Sequence, residues 1–183
     1  MAITLPRQTI NGTCVPDNIN PLSPLGFRLA ISKLPHVEFY AQQVQLPGIS
    51  IGQAEQATPF VVHPIAGEIL TYDTLTVQFL VNETMDNYKA IVNWLEGLGF
   101  PEDNTQYTQM LANDMVAHSE VGKSVSDGTL QILGSNNLPV QTLKFKDMFP
   151  IGIEGLQFNS TESDVNYLIG NVTFRYTNWV FAD

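Results

Sequence analysis

A chain of 183 residues is long enough to bury a sizeable core, and one domain is the default expectation. Hydrophobic residues make up 44% and charged residues 14%, which is a folded composition with a surface rich in Asn, Gln, Ser and Thr. Eight Lys and Arg stand against 18 Asp and Glu, so an extended nucleic-acid-binding face is disfavoured, because phosphate contacts need cations.

A net charge of −10 has two readings, solubility and repulsion of polyanions. A low-charge polar surface likewise suits either a soluble monomer or a subunit covered by neighbours. Cys14 is the one cysteine, so no intrachain disulfide and no multi-cysteine metal site can form, which fits a reducing compartment. The start, MAITLPRQTING, lacks the basic region and long apolar run of a signal peptide. No apolar run approaches the ~20 residues that span a bilayer.

Met1–Leu25 contains Pro6, Pro16, Pro21 and Pro24. Proline fixes φ and removes a backbone donor, so residues 1–25 read as an extended arm outside any central sheet. The arm still carries Ile3, Leu5, Ile10, Val15, Ile19 and Leu22, which can pack on its own domain or on a neighbouring subunit. Residues 26–183 then form a single β domain. Phe27–Ser32 alternates, with Phe27, Leu29 and Ile31 inward; after a Lys33–His36 turn, Val37–Val44 is expected to return as the second strand of a hairpin. Leu46-Pro47-Gly48-Ile49 is turn chemistry. Strand character at Phe60–Val62 lies between Pro59 and Pro64, which suits an edge strand or a projecting hairpin. Ala66-Gly67-Glu68 reads as a turn and Ile69–Tyr72 as a short strand.

The stretch that organises the chain is Tyr72–Phe100. Leu75, Val77, Phe79 and Val81 alternate with Thr74, Thr76, Gln78 and Leu80, a strand with one buried face. The period then changes: Met85, Tyr88, Ile91, Leu95 and Leu98 line one face of a helix within Thr84–Leu98. Asn82 or Thr84 can cap it, and Gly97, Gly99 and Pro101 stop it. Residues 101–127 read as a long loop, with Met110, Leu111, Met115 and Val116 able to form a short second helix.

Strands resume at Gly128–Leu133. Ser135-Asn136-Asn137 is a turn. In Val140–Phe145, Leu143 and Phe145 face away from Val140, Thr142 and Lys144. Phe149-Pro150 reads as an interruption, Gly155–Phe158 as a short strand and Val172–Phe181 as a long strand, apolar on both sides. The resulting expectation is a mainly β fold, an antiparallel barrel or sandwich with one flanking helix.

No chemistry stands out. His36, His63 and His118 share no metal-ligand spacing, and neither a G-x-S-x-G elbow nor a Cys–His signature is present. Asp73, Glu68 and Glu83 fall near turns, and nothing selects a carboxylate pair. Gly152, Gly155 and Gly170 make no phosphate-binding pattern, and Trp94 and Trp179 read as core. No catalytic, cofactor-binding or metal-binding residue is therefore assigned.

The segments FRLAISK, VEFYAQQV, QLPGISIG and PIAGEILTYDTLTVQFLVNE stand in that order. They precede a helix with Tyr88, Ile91 and Trp94, and MFPIGIEGLQFNSTESDVNYLIGNVTFRYTNWVF closes the chain. This arrangement resembles the tail tube proteins of contractile-tailed bacteriophages over Phe27–Phe100 and Lys144–Phe181. The arm and Pro101–Asp127 do not match.

The resemblance implies a structural, non-enzymatic subunit without cofactors, made in the host cytoplasm and located in the virion tail. It implies hexameric rings stacked into a tube inside a contractile sheath, with sheath, baseplate and tail terminator proteins as partners. DNA would pass through the lumen without specific binding, and carboxylates facing that lumen would keep phosphates from sticking. The alternatives are a baseplate or tail-end tube adaptor of the same fold and, from another class, a carbohydrate-binding β-sandwich adhesin module. A hydrolase with a carboxylate pair has no motif behind it.

Overall fold

The computed structural model describes residues 8–10, 13–15, 21–22, 24–34, 37, 40–99, 101, 103, 105–108, 124–159, 161 and 167–182. Its elements, in chain order, begin with a small antiparallel pair, β1 (Gln8–Ile10) and β2 (Thr13–Val15), within the arm. The domain then runs β3 (Phe27–Ile31), β4 (Ala41–Gln45), β5 (Ile49–Ala57), β6 (Val62–Tyr72), β7 (Leu75–Leu80), α1 (Asp86–Gly99), β8 (Ser126–Leu133), β9 (Pro139–Ile153), β10 (Ile169–Arg175) and β11 (Asn178–Ala182). The architecture is mainly β and antiparallel, as its alternating patterns require.

Two half-sheets share β9. Its first part pairs with β8 and β11, and β3 pairs with β8 beyond. Its last part pairs with β10, followed by β7 and then β4. The strand turns the corner at Asp147, whose φ of 53° marks the extra residue between the pairs Gly128↔Phe145 and Ser126↔Met148. Such a bulge bends a strand and increases its twist. The chain makes a second crossing at Tyr176–Thr177, between β10 and β11. Both half-sheets direct their alternate apolar residues into one core: Leu29 and Ile31, Leu75, Val77 and Phe79, Leu130, Leu143 and Phe145, Val172 and Phe174. Gly170 sits opposite Phe79, where a β-carbon would lie 2.8 Å from the Phe79 ring, so a glycine makes room for the largest side chain of β7.

Helix α1 closes the core. Asn87, Ile91, Trp94 and Gly97 form its buried line, with Tyr88, Leu95 and Leu98 half-buried beside it. Asn87 is fully buried yet satisfied: its Nδ2 donates to the Leu80 carbonyl at 2.6 Å, and its Oδ1 accepts from the backbone N–H of Asn82 and Tyr88. It thereby fastens the start of the helix to the end of β7, and a burial this complete is tolerable only because partners are present. Trp94 packs on Phe174 and donates its indole N–H to the Ser124 carbonyl at 3.0 Å.

Several expectations are corrected. β3 and β4 do not form a hairpin: β3 pairs with β8 and β4 with β7. Backbone bonds from Leu34 N–H to Ile31 and from Val37 N–H to Leu34 coil the chain after β3, and both side chains are buried there. The second strand shortens to Ala41–Gln45 as a result. Phe149-Pro150 does not interrupt β9, because Pro150 lacks only a donor and Ile151 is the extra residue between the pairs Thr173↔Gly152 and Phe174↔Pro150. Gly155–Phe158 is not a strand, and Val172–Phe181 is two strands in different half-sheets. The helix boundary falls at Met85, whose carbonyl accepts from Lys89 N–H, while the Thr84 hydroxyl bonds to the Asp86 carboxylate rather than to a first-turn N–H. The proposed helix at Met110–Val116 lies outside the described residues.

Candidate functional site

The most unusual region is the ribbon β5–β6. It continues the β4–β7 ladder without a change of register, since Gln45 pairs with Thr76 and Ile49 with Tyr72. Nine residues of β5 at ~3.3 Å each carry it roughly 30 Å beyond the sheet. Every residue from Ile49 to Thr71 except Gly67 is exposed. The expected turn at Ala66-Gly67-Glu68 is instead a bulge within β6, where Gly67 approaches Gly52 so closely that a β-carbon would sit 2.5 Å from its carbonyl oxygen. The expected strand at Phe60–Val62 is the tip, where the Thr58 hydroxyl donates to the Val61 carbonyl and the Val61 N–H donates back at 3.1 Å.

The ribbon is not polar. Ile49, Ile51, Val62, Ile65, Ile69 and Leu70 are all exposed, and Phe60 at the tip is 98% exposed. Ile49 and Ile51 lie opposite Tyr72 and Leu70, so they share one face. An apolar surface of this extent on a single projecting element marks an interaction surface. The segments flanking TPFV held the sequence signal, namely long strand-like runs with no consistent core side.

Among the described residues, β3 and β11 are the outermost strands of one half-sheet, and β4 and the last part of β9 those of the other. The outer strands of a sheet are where another chain can add a strand.

The outward faces of the two half-sheets differ in charge. On the half-sheet of β4, β7 and β10, cross-strand register places Gln43 and Gln45 beside Gln78 and Thr76, and these beside Asn171 and Thr173. Glu154, which accepts a 2.7 Å bond from Asn171, and Arg175 flank this amide and hydroxyl surface at opposite ends. On the other half-sheet, Arg28, Lys144 and Lys146 face outward, with Asp127 and Asp147 near the corner.

Residues weighed for chemistry do not converge. Among the described residues no group of three His, Cys, Asp or Glu could hold a metal ion. His63 is exposed on β6, and His36 and His118 lie outside the described residues. Asp73 lies at the base of the ribbon, where its carbonyl accepts from the Tyr176 hydroxyl at 2.7 Å. Burial first, then the Asp73 carboxylate and Tyr72, pushes that hydroxyl up to about 12, against an opposing pull from Arg175. This is a structural bond between core and ribbon base. Trp179 packs edge-on against Phe181 at 5.1 Å, and Trp94 is core.

A family model described as phage tail tube protein matches residues 18–182. The chain belongs to the phage tail tube protein family. No curated protein sequence matches it significantly.

Among solved structures, this tail tube protein is similar to a chain of the sheath-tube complex of the PVC extracellular contractile injection system in its extended state. The TM-score is 0.54 at 12% identity, over 90% of this chain and 93% of that one. It is similar to a chain of the sheath/tube terminator of the same system, with TM-score 0.55 and 12% identity over 90% and 98%. The tube-terminating cap of the anti-feeding prophage gives TM-score 0.54 and 12% identity over 100% and 99%. At such identity the likeness speaks for the fold, and it spans nearly the full length of each neighbour.

Proposed function

We propose that this protein is the repeated subunit of a tail tube, assembling into stacked hexameric rings that form a DNA conduit inside a contractile sheath. The carrying observation is the β5–β6 ribbon. A subunit that stays alone has no physical reason to hold seven large aliphatic side chains, Val61 included, and Phe60 in water on a ribbon some 30 Å long. A neighbouring copy that covers the ribbon removes that surface from water, and the outer strands of the half-sheets, such as β4 and β11, give each subunit a second means of joining its neighbours within a ring. The role is structural, with no catalysis. Sheath, baseplate and terminator proteins are the expected partners, and the virion tail is the expected location. No helix among the described residues is long and apolar enough to cross a membrane.

A second reading is a tail-end adaptor of the same fold, favoured by the near-equal likeness to tube, terminator and cap chains. Negative-stain imaging of the purified protein across a concentration series separates the readings. Tubes of variable length are expected for the repeated subunit. Single rings that never stack indicate the adaptor. A monomer at all concentrations sinks both and directs attention to glycan binding.

A further inference from the structure

A stack that repeats one subunit without closing on itself is heterologous: whatever one end offers, the opposite end of the next copy must receive. The ribbon leaves the ladder of β4 and β7 at its Tyr72 end. The far end of the same half-sheet is the pair Leu80↔Ile169. Large apolar side chains are exposed there too: Ile169 at 45%, Tyr167 just before it at 75%, and Phe158, on the segment that leaves β9 at that end, at 71%. Building on the tube reading, we infer that this end, built from Phe158, Tyr167 and Ile169, is the seat for the ribbon of the next copy, which lays the face of Ile49, Ile51 and Leu70 against it.

Position, chemistry and charge carry the assignment. The ribbon and the seat lie at opposite ends of one half-sheet, as a repeating stack requires. Both surfaces are apolar and exposed, so each removes the other from water. The charges give the half-sheet a direction. Glu154 is fixed near the seat, where its N–H donates to the Asn171 carbonyl at 2.9 Å and its carboxylate accepts from the Asn171 amide at 2.7 Å. Arg175 follows Phe174, the partner of Leu75, and so lies at the ribbon end. Contact between unlike ends brings the carboxylate of one copy toward the guanidinium of the next, whereas contact between like ends opposes like charges.

The test uses two variants of the full chain, assembled separately. Ile51→Ser/Phe60→Ser/Leu70→Ser loses the apolar ribbon and keeps the seat; Phe158→Ser/Tyr167→Ser/Ile169→Ser keeps the ribbon and loses the seat. All six positions are exposed, so both variants should keep the parent's urea midpoint. Each alone should stop at single rings, with stacked rings in negative stain reduced at least about tenfold. Mixed, they should form stacks of two rings and no longer, because the seat of the first takes the ribbon of the second and neither outer end can then add a ring. In parallel, Arg175→Glu should shorten tubes about tenfold at low salt, and Glu154→Lys in the same chain should restore them. The inference is overturned if the seat variant stacks like the parent, if the mixture yields no ring pairs, or if the double charge reversal stacks no better than Arg175→Glu. In each of these cases the parent still forms tubes and the tube reading stands; a parent that forms none overturns both.

Discussion

Strand β7 and the ribbon β5–β6 are separated by Asp73 and Thr74, yet their apolar residues meet opposite fates. Leu75, Val77 and Phe79 are fully buried between the half-sheets and α1, while Ile51, Ile69 and Leu70 stand in water. Both regions have β-branched and aliphatic side chains in strand geometry. The difference lies in what covers them: β7 is covered by its own chain, and the ribbon has no partner within the described chain. Alternation therefore marks a strand but does not say which molecule supplies the other side of the interface.

Substitutions in the two regions should act on different equilibria. The largest effect on folding should come from Phe79→Ala, which removes a fully buried ring from the centre of the core. Such truncations cost about 3–5 kcal/mol, read as a lower midpoint in urea unfolding of the dissociated subunit. A loss below about 1 kcal/mol would show that β7 is not the centre the burial pattern describes.

A smaller effect is expected at the boundary between the regions. Tyr176→Phe removes the hydroxyl that holds the ribbon base at Asp73, a loss of about 1 kcal/mol at neutral pH. Because the folded hydroxyl is pushed up from 10.0 to about 12, its contribution is fully present below pH 10 and is lost as pH rises toward 12, where the unfolded chain releases the proton first. Unfolding measured across that window should steepen in the wild type relative to Tyr176→Phe. Parallel pH profiles would remove Tyr176 as a clamp between core and ribbon.

The smallest effect on folding belongs to the ribbon itself. Replacing Ile51, Phe60 and Leu70 together by Ser should change subunit stability by less than about 0.5 kcal/mol per site, since these positions are already exposed. Assembly should nevertheless fall by at least about tenfold in sedimentation or light scattering, because the surface that neighbours would cover is gone. If the triple variant unfolds as readily as Phe79→Ala, the ribbon is part of the core and the contrast with β7 disappears.

Sequence alone determined the elements whose partners are local. The alternation in Leu75–Leu80, the change to helical period at Tyr88 and Ile91, and Gly99 before Pro101 fix a strand and a helix, because period and turn chemistry act between near neighbours, whereas Gly97 does not end the helix but lies on its buried face. The same holds for Leu143 and Phe145 facing away from Lys144, and for the turn at Ser135–Asn137, where Asn137 takes a φ of 55°. Only the tertiary structure decided which strands pair. β3 chose β8 over β4 across a long stretch of chain, and the apolar pattern of Phe27–Ile31 is equally satisfied by either. It also placed Asn87 in the core, a polar residue in register with Ile91 and Trp94 that no apolar period reveals, because its partner is the carbonyl of Leu80 at the end of another element. The ribbon and the two outward faces were hidden for the same reason. Charge and hydrophobicity are properties of residues, but a face of amides and hydroxyls, a cationic face and an exposed apolar ribbon arise only when pairing brings distant residues side by side.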